Sequence, residues 1–431
     1  MSDGTLLATQ KFEQALKIGR PPNVAKLFPN SRALLVSGKV VDRAMLAKGN
    51  AMCIAANARN RFIIHGVLRA AQRADAALII EIAKSEGGTS AYCAVDYWNM
   101  ATYIDAVANQ LGITVPIAVH ADHYAQKNPA DVARSLVEIP TMFDAGITSI
   151  AIDASHMPDA DNLAATVALN EVVPTWAGLE TEVGEIKGDQ GLSTADEALF
   201  LIQGLNAHNV FPDWIALNNG TSHGIQASAA GIQVELTAEI HRVLEPYGVS
   251  GAQHGTSGNS FERLRSIVQQ TCTTKANVAT ALQMVSWGVK VNEYGNAFQD
   301  DSGAFVREEN SGASDELWAK MVAYANERGW SAGDYKKLNL PFEAKLWAQP
   351  REVRERMVTA VETFVYGLLT DVFNATGTGS LGVDAILAAG SYDLGPKGQR
   401  TEDPAQWTPE KAAARATTLF KEDAPEGNFD D

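Results

Sequence analysis

The stretch TVPIAVHADHYAQK, residues 114–127, decides the fold. Val115, Pro116, Ile117, Ala118 and Val119 form a short apolar run of the kind that makes a buried strand. The run ends on His120, Ala121, Asp122 and His123, placing two imidazoles and a carboxylate where a strand would leave the core. Polar residues at strand ends often do no more than turn into solvent. The segment therefore takes its meaning from what recurs along the chain.

Strand-like runs recur at 50–57, 76–83, 115–122, 147–155, 177–183, 214–220, 249–255 and 286–292 (SWGVKVN). Between them the apolar residues keep helical spacing. YIDAVANQLG puts Ile104, Val107, Ala108 and Leu111 on one face and stops at Gly112; SFERLRSIVQ does the same with Phe261, Leu264 and Val268 behind Ser260 as a cap. Eight strand–helix units at a spacing of roughly 25–40 residues predict an α/β fold, a parallel (β/α)8 TIM barrel. The competing open sheet announces itself with a glycine-rich turn after its first strand, and AANARNRF has no glycine there. Residues 1–50 read as an N-terminal helical lead-in and 305–370 as helices decorating the barrel. The expected organisation is one barrel domain over 1–370 and a C-terminal helical extension over 371–431. From about residue 390 that extension becomes a Pro-, Gly- and charge-rich arm lying over the surface or on a partner subunit.

With 431 residues, 46% of them hydrophobic, the chain can bury one large core or two medium ones. Its formal charge of −16 is the wrong sign for a nucleic-acid surface. No apolar run is long enough to span a bilayer, and MSDGTLLATQKFEQ lacks an apolar signal core. Cys53, Cys93 and Cys272 are too scattered for a disulfide framework or a thiolate metal site. These features predict a cytoplasmic globular protein without nucleic-acid or membrane partners.

Active sites of such barrels sit at the C-terminal strand ends. Those ends carry Asn57, the KSEGGTS segment, Asp122 with His123, Asp153, Glu180 with Glu182, His223 in NNGTSHG, His254 in QHGTSGNS, and Asn292. Three imidazoles on strand ends 3, 6 and 7, His123, His223 and His254, describe a catalytic zinc site with one open position. Asp122, beside a ligand and pointing past it, suits a general acid or base. His65, His208 and His241 read as surface or packing residues, and His120 and His156 as buried supports. The loops HGTSG and SEGGTS leave backbone N–H groups open to an anion such as phosphate.

Taken together, these segments resemble the class II, metal-dependent fructose-bisphosphate aldolases over about residues 50–350. VHADHYAQK, SIAIDASHMP, GLETEVGEIKG, NNGTSHG, QHGTSGNS and VKVN fall in that family's order. The resemblance implies zinc on His123, His223 and His254, with Asp153 and Glu182 as an alternative, more buried metal position. A second divalent or a monovalent cation is a further candidate. It implies Asp122 as the acid/base, phosphate held by Ser85, Gly224, Gly255 and Ser257, and sugar contacts from Asn57 and Asn292. The implied partners are a phosphorylated sugar, with fructose 1,6-bisphosphate as the expected substrate, and further copies of the chain in a homodimer or higher homo-oligomer.

Three departures stand out. Where the family usually reads Asn-x-Asp-Thr, Asn292 is followed by Glu293, Tyr294 and Gly295. The family's mobile loop carries an acidic pair, and KGDQGLS offers Asp189 as the proton-transfer residue. FEAKLW offers Lys345 where a related branch uses Arg on the neighbour's far phosphate, a point charge in place of a planar fork. Three rivals remain: a serine hydrolase using Ser222 in GTSHG, a Schiff-base aldolase using Lys290, and a non-catalytic aldolase-like assembly subunit.

Overall fold

A computed structural model describes residues 3–89, 91–184, 191–220, 231–293 and 295–419. The strands are β1 (Leu35–Val36), β2 (Cys53–Asn57), β3 (Leu78–Ala83), β4 (Ile117–Ala125), β5 (Ser149–Asp153), β6 (Gly178–Val183), β7 (Trp214–Leu217), β8 (Ser250–Gln253) and β9 (Thr273–Val278). β2 to β9 run parallel, each beside the next, and β9 pairs back onto β2 from Cys53 opposite Lys275 to Ala56 opposite Val278. The sheet is thus closed, and with helices around it the fold is a (β/α)8 TIM barrel with helical extensions. β1 adds to the edge of β4 at Ile117 and Ala118.

The period-two alternation of each strand separates two layers. Ile54, Ala56, Leu78, Ile80, Ile117, Val119, Ile150 and Ile152 join one large apolar cluster with the surrounding helices. Cys53, Ala55, Ile79, Ala118, Trp214, Ala216 and Ala252 join a second cluster inside the lower barrel. That end is plugged by the helix Gly38–Lys48 through Val40, Val41, Ala44 and Met45. Higher on the same inward faces come Asn57, Glu81, His120, Asp122, Glu180, Glu182, Lys275 and Asn277, all buried. An apolar floor under a polar mouth is the arrangement that puts chemistry at one end.

The eighth barrel strand corrects the expectation. It is Thr273–Val278 (TTKANV), not 286–292. Ser286 and Trp287 end a helix, Thr280–Trp287, closed by Gly288 at φ +82°. Val289 and Val291 then make isolated antiparallel bridges to Arg307 and Ala297, outside the barrel. The inward Lys275 and Asn277 disguise the true strand as polar, while SWGVKVN mimics strand alternation.

β4 carries a bulge. Ala121 pairs with Ile150 and Tyr124 with Ile152, so three steps on β4 span two on β5. The surplus falls at Asp122–His123, where His123 takes φ +42°. A left-handed residue other than glycine costs about 1–2 kcal/mol. The extra residue breaks the pleat, so two neighbouring side chains face the same way.

The arm packs on its own barrel as far as residue 419. Lys397 Nζ lies 2.7 Å from the buried Asp42 carboxylate and donates to Asp213 O and Ser250 Oγ. Asn206 Nδ2 donates to Gln399 O, its Oδ1 accepts from the Thr401 N–H, and buried Trp407 packs on Phe200 with ring centroids 5.4 Å apart.

His241, on the helix Val234–Leu244, is the packing residue its pattern suggested. Its Nδ1 accepts from the Cys272 N–H, and burial pushes its pKa down from 6.5 to about 4. Between those values the unfolded imidazole binds a proton and the folded one does not. Stability therefore falls as the pH drops through this window, by about 3 kcal/mol for this group. Comparing urea unfolding of wild type and His241→Gln from pH 7 to 4 should show a flatter pH dependence in the variant; equal slopes would refute the assignment.

Candidate metal centre and active site

The β4 bulge turns Asp122 and His123 toward the barrel mouth. β6 presents Glu180 and Glu182, two residues apart and hence on one face. β5 ends on Asp153, and His254 follows β8. His123 Nδ1 lies 3.0 Å from Glu182 Oε1 and 3.7 Å from Asp153 Oδ2. The His123 and His254 rings meet edge to face, with centroids 4.1 Å apart. Three overlapping sets have ligand atoms within 4.8 Å of one another: Asp122, His123 and His254; His123, Asp153 and Glu182; and Glu180, Glu182 and His254.

The electrostatics match a cation site. Burial and the neighbouring Asp153 push the Glu182 carboxyl up to about 7. Burial opposes charge on His123, but Glu182 and Asp122 raise its pKa well above the usual imidazole value. Burial opposes charge on Asp153 too, yet the hydrogen bond and charge of His123 hold it down at about 2. The cluster thus holds protons where a divalent ion would supply charge. His254 adds an independent sign: its Nε2 lies 2.8 Å from Glu180 Oε1, while its buried Nδ1 has no hydrogen-bond partner among the described residues. A carboxylate behind one ring nitrogen and an open lone pair on the other is the usual dress of a metal-binding histidine. The donor set fits a divalent cation.

Asp122 Oδ1 accepts from Asn277 Nδ2 at 2.9 Å and from Lys275 Nζ at 3.2 Å. Lys275 is fully buried, and its Nζ also lies 2.7 Å from Glu180 Oε2, 3.2 Å from Glu81 Oε2 and 3.3 Å from His120 Nε2. His120 Nδ1 is 2.8 Å from Ser149 Oγ, a buried support. Lys275 and Asn277 were missed because their strand was missed; inward polar residues at alternate positions in TTKANV were the available signal.

Asn57 ends β2 and donates to Glu86, leaving its buried Oδ1 without a hydrogen-bond partner among the described residues. Glu86 is also paired with buried Arg59. Ser85 lies half-buried in the short helix Lys84–Gly87 after β3. Gly255 follows His254 at φ +60°, a conformation that favours glycine, and Ser257 comes two residues later. Asn292 does not stand on a barrel strand; its Oδ1 accepts from the Asn296 N–H within its own turn. Ser257, Glu293 and Gly295 nevertheless line one small hollow. Lys345 is exposed on the helix Asn339–Trp347, its Nζ 4.5 Å from the Phe342 ring centre. His223, Gly224 and Asp189 lie outside the described residues, as does Ser222.

A closed parallel barrel with paired imidazoles and carboxylates at its mouth is an architecture suited to metal-assisted chemistry. The sequence matches the family model "Fructose-bisphosphate aldolase class-II" over residues 39–329, and the chain belongs to that family, an aldehyde-lyase family. Among solved structures it is similar to the YdjI aldolase from Escherichia coli K12, at 16% identity and a TM-score of 0.52, covering 79% of this chain and 97% of that one. It is also similar to the fructose-bisphosphate aldolase from Campylobacter jejuni, at 18% identity and a TM-score of 0.52, covering 80% of this chain and 97% of that one. At these identities the likeness concerns the fold. No helix among the described residues is long and apolar enough to cross a membrane.

Proposed function

We propose that the protein is a zinc-dependent aldolase that cleaves and forms a ketose bisphosphate, with fructose 1,6-bisphosphate the best-fitting substrate and dihydroxyacetone phosphate and glyceraldehyde 3-phosphate the products. The observation that carries this reading is the open Nδ1 of His254 beside His123, with Asp122 next in sequence to that ligand. His123, His254 and His223 would hold the ion, with Asp153 and Glu182 as the alternative position. When bound, a divalent cation at these residues would supply Lewis acidity beside the substrate carbonyl.

Asp122 takes the proton from the hydroxyl whose carbon becomes the aldehyde, one oxygen being held by Asn277 and Lys275. Asp189 returns a proton to carbon. Ser85, Gly224, Gly255 and Ser257 hold one phosphate, with backbone N–H groups doing much of the work. The unpartnered Oδ1 of Asn57 suits a sugar hydroxyl. With strand eight at β9, the Asn-x-Asp-Thr pattern falls on Asn277, Val278, Ala279 and Thr280, so the sugar contact assigned to Asn292 passes to Asn277. The hydroxyl of that pattern is kept, and only its carboxylate is replaced, by Ala279. In a homodimer or larger assembly, Lys345 would serve the neighbour's distal phosphate.

The Schiff-base alternative loses its residue. Lys290 is exposed outside the barrel, and Lys275, on the true eighth strand, is held as an ammonium by carboxylates. Borohydride with substrate should therefore trap nothing. Steady-state cleavage of fructose 1,6-bisphosphate, tagatose and sedoheptulose bisphosphates and fructose 1-phosphate tests the substrate. Loss of a charge-assisted contact, as expected for Lys in place of Arg, costs about 1.5–3 kcal/mol. Acceptor selectivity should accordingly be broad, with fructose 1,6-bisphosphate preferred. A ketose lacking the 1-phosphate as best substrate would overturn the donor assignment.

A further inference from the structure

The polar mouth of the barrel contains a fully buried ammonium that neither gives nor takes a proton in the proposed chemistry. Lys275 Nζ meets Glu180 Oε2 at 2.7 Å, while the other oxygen of that carboxylate, Oε1, is 2.8 Å from His254 Nε2. An ionised carboxylate has no proton to give, so the contact with His254 requires the imidazole to donate from Nε2. Nδ1 is thereby left as the acceptor, and it is this atom that stands buried without a hydrogen-bond partner among the described residues, 3.9 Å from Glu182 Oε2. The same Nζ lies 3.2 Å from Asp122 Oδ1, alongside the 2.9 Å contact from Asn277. One charge therefore touches both the proposed acid/base and the group behind one proposed metal ligand.

We propose that Lys275 is a positioning residue: its ammonium fixes the Asp122 carboxylate and, through Glu180, selects the His254 tautomer that offers Nδ1 to the metal. This deepens the aldolase reading and rests on it. It also accounts for the set Glu81, His120 and Asp122, which by its donor atoms resembles a second cation site. The Lys275 ammonium already sits among those groups and supplies the positive charge there.

Lys275→Met keeps much of the volume and removes the charge. The expected result is a fall in kcat of roughly 10²-fold from a misplaced Asp122, with KM for the ketose bisphosphate within about twofold. Affinity for cobalt, read from its visible spectrum during chelator competition, should fall roughly 10–100-fold, the usual effect of losing support behind a ligand. A residue that only stabilises the barrel would lower Tm while leaving kcat per folded molecule and cobalt affinity unchanged, and that outcome would overturn the proposal.

If Lys275→Met does not fold, Glu180→Gln serves. It leaves Lys275 with Asp122 and Glu81, yet an amide facing Nε2 favours the opposite tautomer. Cobalt affinity within about twofold of wild type in that variant would overturn the proposal as well. The affinity measurement needs no substrate. A wild-type protein inactive on every ketose phosphate would therefore sink the functional reading while leaving this test intact.

Discussion

Exhaustive chelation should abolish ketose-bisphosphate cleavage, and zinc or cobalt should restore it. The expectation rests on a buried imbalance. Asp122, Asp153, Glu180 and Glu182 converge with His123 and His254, and the Glu182 carboxyl is pushed up to about 7 by burial and by Asp153. Removing the ion leaves these groups to share protons instead, and the open Nδ1 of His254 stays uncompensated. The metal-free protein should also melt earlier, because an ion held at about 1,000 times its Kd adds about 4 kcal/mol to stability. Atomic absorption, turnover and calorimetry on the same samples provide the check. Full turnover in protein shown to be free of metal would end the metal-dependent reading.

Asp122→Asn should lower kcat by roughly 10²–10⁴-fold, the range of a general acid or base, with unchanged metal content. An amide oxygen can still accept from Asn277 Nδ2, so the local geometry has a route to survive; what disappears is the ability to take a proton. This distinguishes Asp122 from its neighbour, since His123→Ala should cost metal as well as turnover. Stopped-flow turnover with parallel metal analysis separates the two. An Asp122→Asn protein that lost its metal would make Asp122 a ligand, and one with normal kcat would remove it from the chemistry.

Seven of the eight barrel strands are legible. β6 (GLETEV) shows by its alternation and its place in the spacing, despite two inward glutamates. Most of the others show as apolar runs, because a strand buried on both faces leaves few positions for polar residues. The eighth is not legible for the opposite reason. Lys275 and Asn277 face the mouth, and their polarity erases the pattern that betrays the other strands. The site shows a similar division. The residue types in His120 to His123 reveal chemistry, but a regular strand would send Asp122 and His123 to opposite faces. Nothing in the letters signals a bulge, since the left-handed position is occupied by histidine and not by glycine. Glu180 is visible as a carboxylate at a strand end, but its task depends on Lys275 and His254, 95 and 74 residues away.

The surplus residue in β4 has a consequence for how this gene can change. Substitutions at 122 or 123 swap one side chain and leave the register alone. Loss of a single codon between Ala121 and Tyr124 would let the strand heal into a regular pleat, with every barrel pairing satisfied. The healed strand would have lost either Asp122 or His123 and would carry the other alone at the inward position. A deletion library across residues 118–126 should therefore yield well-folded, inactive proteins at this point, in which the register of β4 changes together with the loss of one reactive group. The enzyme's lineage is held to a length as well as to an alphabet.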